Sequence, residues 1–223
     1  YQSRSLEKFN ETIECMKNGI EIIYQGVLHD YENNIYGCPD LMVRSDRIND
    51  IFGNNLLTKD ESKISSPLLN IPYHYVIIDI KHSTLYLKSD RIHLRNCNSI
   101  PAYKGQILMY TIALGTIQGY EPKYGFILGK KLLYTRNYLS YYENDFMKSL
   151  GKIDFDNHDF EYRKQTKDAI NWIINMRNNG HNWKLLPSPS NKNLYPNMKN
   201  EKDGNWRKLK NEINEKINNI IFF

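Results

Sequence analysis

The sequence predicts an α/β fold in which helices pack on a sheet built around one buried strand. Three observations point to it. The stretch Tyr75-Val-Ile-Ile-Asp-Ile-Lys81 carries three consecutive β-branched apolar residues, Val76, Ile77 and Ile78, the pattern of a strand covered on both faces. Leu6, Phe9, Ile13, Met16 and Ile20 step by three and four residues, which lays one apolar stripe along a helix. The order of elements reads helix, strand, strand, central strand, helix, strand, with no internal repeat and no clear second core. The expected organisation is one domain over residues 1–223, with a core at about 5–135, an insertion at about 45–72 and a helical extension over about 136–223.

Taken in order, the first helix is capped by Ser3 or Ser5 and ended by Gly19. Glu21–Leu28 reads as a strand and Tyr31-Glu-Asn-Asn34 as a turn. A second strand over Ile35–Arg44 is interrupted at Gly37-Cys-Pro-Asp40, because Pro39 cannot donate to a sheet ladder. Such an irregularity is one way to aim a side chain, here Asp40. Residues 45–72 are polar, weakly periodic and rich in Ser, Asn and Lys, and are expected to form a long loop. The central strand covers Tyr73–Lys81, and Leu85-Tyr-Leu87 continues or bends it. After a connection at Arg91–Ile100, Pro101 opens a helix that runs through Gln106, Ile107, Tyr110 and Leu114 to about Gln118. Tyr124–Leu128 is a further strand, with Lys131–Tyr134 as a partner, and residues 135–156 give no clear signal. A helix over Asp159–Asn178, a loop over 181–200 rich in proline and asparagine, and an amphipathic helix over Trp206–Ile217 complete the chain.

The formal net charge of +5 is a mild excess that fits a polyanionic partner without requiring one. No apolar run approaches a membrane span and no signal peptide is recognised, so an intracellular, non-secreted protein with no membrane partner is expected. Tyr1 in place of Met fits a piece of a longer protein. Cys15, Cys38 and Cys97 are odd in number and scattered, which argues against a disulfide framework and against a four-cysteine metal site.

Chemistry concentrates at the end of the central strand. Alternation puts Asp79 and Lys81 on one face and Ile80 on the other. An acid and an amine closing a hydrophobic strand need a partner, solvent or a metal ion, because burying a lone charge is costly. Divalent-metal phosphodiester chemistry needs at least two converging carboxylates, and Asp40 and Asp79 supply them. The backbone carbonyl of Ile80 is an additional candidate ligand, and Lys81 can orient or activate water. Glu14 on the first helix is a candidate for a further carboxylate, with Glu11 the fallback and His29 an alternative ligand. Arg91, Arg95 and Lys104 fall between the central strand and the following helix, where phosphate contacts would be useful.

Together, Gly37-Cys-Pro-Asp40, Ile78-Asp-Ile-Lys81 and Gln106-Ile-Leu-Met-Tyr110 resemble the PD-(D/E)XK nuclease superfamily. The Gln-x-x-x-Tyr spacing is similar to its RecB-type and lambda-exonuclease-type branch. The resemblance implies a restriction-endonuclease-like core, with a central mixed sheet flanked by helices. It also implies Mg²⁺ or Mn²⁺ dependence, DNA as the usual substrate, and fusion to or association with a helicase or another nucleic-acid enzyme. Gln106 and Tyr110 are four residues apart and share a helix face, which the resemblance implies borders the active site and DNA. Some relatives hold an iron–sulfur cluster with four cysteines, and three scattered ones do not provide for that. Two other readings are a catalytically inactive nuclease-like module that binds nucleic acid or protein, and an RNA endonuclease of the cap-snatching type.

Overall fold

Ser5 has extended backbone and its hydroxyl accepts from the Lys8 N–H, which opens α1 (Leu6–Lys17) as the sequence predicts. In the computed structural model, residues 2–53, 55–136, 139–185, 189–191, 194 and 204–216 are described. The strand expected over 21–28 is instead split into β1 (Ile22–Tyr24) and β2 (Leu28–Asp30), because Gln25 turns the chain with a φ of 49°. β2 pairs antiparallel with β3 (Ile35–Gly37) as a two-stranded sheet of its own. β4 (Leu41–Arg44) begins directly after Asp40.

The insertion is a correction. Residues 45–72 fold α2 (Ile48–Phe52) and α3 (Lys59–Ser62), and Ile48, Phe52, Leu56 and Leu57 are buried in the main core. The Asn49 side chain organises this segment: its Oδ1 accepts from the N–H groups of Leu56 and Leu57, and its Nδ2 donates to the Leu57 carbonyl. A few apolar anchors and one amide therefore do what periodicity does elsewhere.

The apolar run folds as β5 (Tyr75–Tyr86), and the following helix is α4 (Ile100–Gln118), with Pro101 in its first turn and Gly119 at φ +76 behind it. α4 is the crossover that lets β5 pair parallel with β6 (Tyr124–Arg136). Tyr124–Leu128 and Lys131–Tyr134 are thus one strand and not partners. Two further strands, β7 (Leu139–Glu143) and β8 (Leu150–Asp154), both run antiparallel to β6. The sheet therefore continues past residue 135, and the helical extension does not start at 136. The six-stranded sheet runs β1, β4, β5, β6, β7, with β8 also paired to β6. It is a mixed sheet flanked by helices.

Val43, Val76, Ile78, Phe126, Leu128 and Leu150 form the apolar face that α2 and the segment after it cover. The opposite face of β5 meets α1 and α4: the Tyr75 hydroxyl donates to the Ile20 carbonyl, at 2.6 Å, beyond α1. At the end of α4, Gln118 is fully buried and stands in for a strand neighbour. Its Oε1 accepts from the Tyr75 N–H at 2.9 Å and its Nε2 donates to the Tyr75 carbonyl at 3.2 Å.

The chain divides into two compact units, Tyr1–Lys167 and Asp168–Phe223, with the boundary inside α5 (Glu161–Asn179). In the first unit, α5 buries Tyr162 and Thr166. In the second, the rings of Trp172 and Trp183 lie 6.2 Å apart, and α6 (Arg207–Lys216) buries Ile213 and Asn214. Most of the loop expected over 181–200, and the end of the last helix at Ile217, lie outside the described residues. Among the described residues, no helix is long and apolar enough to cross a membrane.

Candidate functional site

The pairing of β4 with β5 ends at Leu41 opposite Ile78, which leaves the N–H groups further along β5 without a strand partner on that side. Asp40 supplies one. Its Oδ2 accepts from the Ile80 N–H at 2.7 Å, so the carboxylate continues the ladder that the backbone has just left. The Asp40 carbonyl is held in turn by the Gln25 N–H at 2.9 Å, and the Cys38 thiol donates to the Gln25 carbonyl. The irregularity at Pro39 thereby aims Asp40 at the end of the central strand.

Asp79 is there, only 3 % exposed. The Asp40 carboxylate is its neighbour. Lys81 Nζ lies 2.5 Å from Asp79 Oδ2, yet this oxygen is buried without a hydrogen-bond partner, so the contact is one of charge rather than a directed hydrogen bond. Burial raises the Asp79 pKa above the ordinary carboxylate value, and the neighbouring Asp40 raises it further, against the opposing pull of Lys81.

Lys81 is itself held from α4. Its ammonium donates to Gln106 Oε1 at 3.2 Å, and Gln106 Nε2 donates to the Tyr110 hydroxyl at 3.0 Å. The Tyr103 ring centroid is 4.7 Å from Lys81 Nζ. Burial raises the Tyr110 pKa, which keeps the hydroxyl neutral. Gly37 has a steric role in the same unit, since a Cβ there would come within 2.2 Å of Tyr110 Cε1. Gly37 makes room for Tyr110, which joins the Gly-Cys-Pro-Asp stretch to the helix motif.

Asp40, Asp79, Lys81, Gln106, Tyr110 and the backbone of Ile80 are therefore brought together. Other candidates are not. Glu14 is exposed on α1 and pairs with Lys17 at 3.2 Å, while Glu11 pairs with Lys8 at 2.7 Å. His29 is buried against Phe9, its ring stacked at 4.9 Å, with Nε2 at 2.9 Å from the Ser3 carbonyl. Those contacts make it a packing residue of the small sheet.

Lys104 is a correction. It is fully buried, 2.5 Å from Asp159, and it also donates to the Leu94 carbonyl and Asn96 Oδ1, so it has no reach to a phosphate. Arg91 and Arg95 are exposed, and the Arg91 guanidinium lies 5.2 Å from the Tyr134 ring centroid. Sequence reasoning missed Tyr103 and Gly37. Tyr103 had a signal, since it stands three residues before Gln106 on the same helix; Gly37 had none, because its role depends on a ring from a distant helix.

The donor set of Asp40, Asp79 and the Ile80 carbonyl is all oxygen, which suits a hard divalent cation such as Mg²⁺ or Mn²⁺. The buried Asp79 carboxylate, beside a second carboxylate and answered by a single lysine, fits such an ion. No protein-family model, curated protein or solved structure matches the chain.

Proposed function

We propose that this protein is a metal-dependent nuclease that hydrolyses phosphodiester bonds in DNA. The observation that carries the reading is the meeting of Asp40, Asp79 and Lys81 at the end of β5, with Lys81 tied to Gln106 and Tyr110 on α4. The order α1, β1, β4, β5, α4, β6 in a mixed sheet supports a restriction-endonuclease-like core. Asp40, Asp79 and the Ile80 carbonyl would hold Mg²⁺ or Mn²⁺. When bound, the ion stabilises charge on the phosphate and lowers the pKa of water.

The chain's own groups do the rest. Lys81 positions the attacking water, and its ammonium is held between Asp79 at 2.5 Å and Gln106 Oε1 at 3.2 Å. Tyr110 orients Gln106. Beyond the register shift that follows Lys81, β6 and β7 place Lys131 beside Tyr142. Lys131 Nζ lies 4.8 Å from the exposed Tyr142 ring, a cation and an aromatic face suited to phosphate and base.

The test is incubation with linear and circular, single- and double-stranded DNA in Mg²⁺, Mn²⁺ or chelator. Cleavage that requires the ion and disappears in Asp79→Ala is the expected result. Unchanged cleavage in that variant would overturn the assignment.

A further inference from the structure

Among the described residues, one group of three metal-ligating side chains lies away from this site: Asp90, His93 and His158, whose ligand atoms are all within 4.8 Å of one another. We propose that they form a binding site for a borderline divalent cation of the zinc class, clipping the segment after β5 to the turn before α5. The site shares no residue with the carboxylate cluster and does not depend on the nuclease reading.

Both halves are held by backbone. His93 pairs in a parallel bridge with Lys152 of β8, and the Lys88 N–H donates to its carbonyl at 2.7 Å. His158 stands in a turn in which Asp154 Oδ1 accepts from the N–H groups of Asp156 and Asn157, and the Asp159 N–H donates to the Asp154 carbonyl. Two segments more than sixty residues apart thus present their imidazoles to each other from fixed positions.

The side chains are arranged as ligands need to be. Asp90 Oδ1 accepts from the N–H groups of Ile92 and His93, and its Oδ2 lies 2.9 Å from His93 Nδ1. A carboxylate only accepts, so Nδ1 of His93 donates to Asp90 and Nε2 is the ring nitrogen turned away from it. A carboxylate that orients a histidine in this way is the usual support for a metal-bound imidazole. The rings of His93 and His158 are 3.6 Å apart and inclined by 32°. Two imidazoles, one of them oriented by Asp90, favour Zn²⁺, Co²⁺ or Ni²⁺ over Mg²⁺, in contrast to the all-oxygen donors beside β5.

The experiment is titration of the full chain with Zn²⁺, with excess Mg²⁺ present, read by calorimetry and by thermal unfolding. The expected result is one tight Zn²⁺ per chain and a raised Tm. His158→Ala should weaken binding by about 100-fold or more and abolish the shift in Tm, while Asp90→Asn should weaken it about 10- to 100-fold. Asp79→Asn should leave the Zn²⁺ affinity and the Zn²⁺-induced change in Tm as they are. Zn²⁺ binding that survives His158→Ala, or that vanishes in Asp79→Asn, would overturn the proposal, the latter by placing the ion among the β5 carboxylates.

Discussion

Two lysine–aspartate pairs in the first unit share a separation of 2.5 Å and differ in almost everything else. Around Lys104 and Asp159 every charge is answered. Lys104 has Asp159, a carbonyl and an amide oxygen as acceptors, its ammonium lies 5.6 Å from the Tyr162 ring centroid, and Asp159 Oδ2 accepts from the Asp154 N–H. Burial still pulls the Lys104 pKa down, and Asp159 opposes that pull. Around Asp79 and Lys81 the satisfaction is partial. A second carboxylate sits beside the first, one buried oxygen has no hydrogen bond, and the lysine side chain keeps 20 % of its surface in solvent. The first arrangement closes on itself and holds the start of α4. The second holds two acids beside one lysine. A short ion pair is therefore no guide to its role until the remaining lone pairs and protons are followed.

The contrast can be broken by exchanging which pair is damaged. Asp79→Asn is expected to take Mg²⁺-dependent cleavage to background while leaving the Tm without divalent ions unchanged or higher, since it removes a buried charge that lacks a full set of partners. Gel assays and calorimetry on one preparation check both halves. Asp159→Ala is expected to do the reverse, lowering stability by about 3–5 kcal/mol because it strands a buried ammonium. Urea unfolding measures this, and Lys104→Met with Asp159→Leu should recover much of the loss.

A pH series sharpens the comparison once His74 is accounted for. Burial holds the His74 pKa down at about 4, against the hydrogen bond that its Nδ1 makes with the Ile64 carbonyl. The unfolded chain then binds the extra proton first, so stability is complete above about pH 6.5 and is lost as pH falls toward 4, by about 3 kcal/mol in all. The raised Asp79 pKa acts with the opposite sign, favouring the protonated folded state. Replacing His74 with Asn should flatten the acid limb and expose the Asp79 contribution. The smallest expected effect is at the surface. Lys131→Ala should lower the dependence of DNA binding on salt by about one unit in log–log slope, with the core stability unchanged.

The residues of the candidate site were legible where their chemistry is local. Asp79 and Lys81 follow an apolar run, Asp40 follows a proline, and Gln106 and Tyr110 share a helix whose start and stop are written as Pro101 and Gly119. Lys104 was misread because its partner is 55 residues away, and a lysine in a polar-looking stretch gives no sign of being buried. Glu14 was over-read for a related reason: Lys17, one turn on, already answers it. β7 and β8 escaped notice because β7 is mostly exposed and β8 is only five residues long, and both depend on β6 for their pairing. The anchors of 45–72 are too few to register as a period.

Because the peptide group at position 75 is bonded by the Gln118 side chain on one edge, its protection against solvent exchange is a property of the helix end and not of a neighbouring strand. Deuterium uptake at that single amide would therefore report, in real time, whether the far end of α4 has lifted from the sheet, with no label placed near the acids.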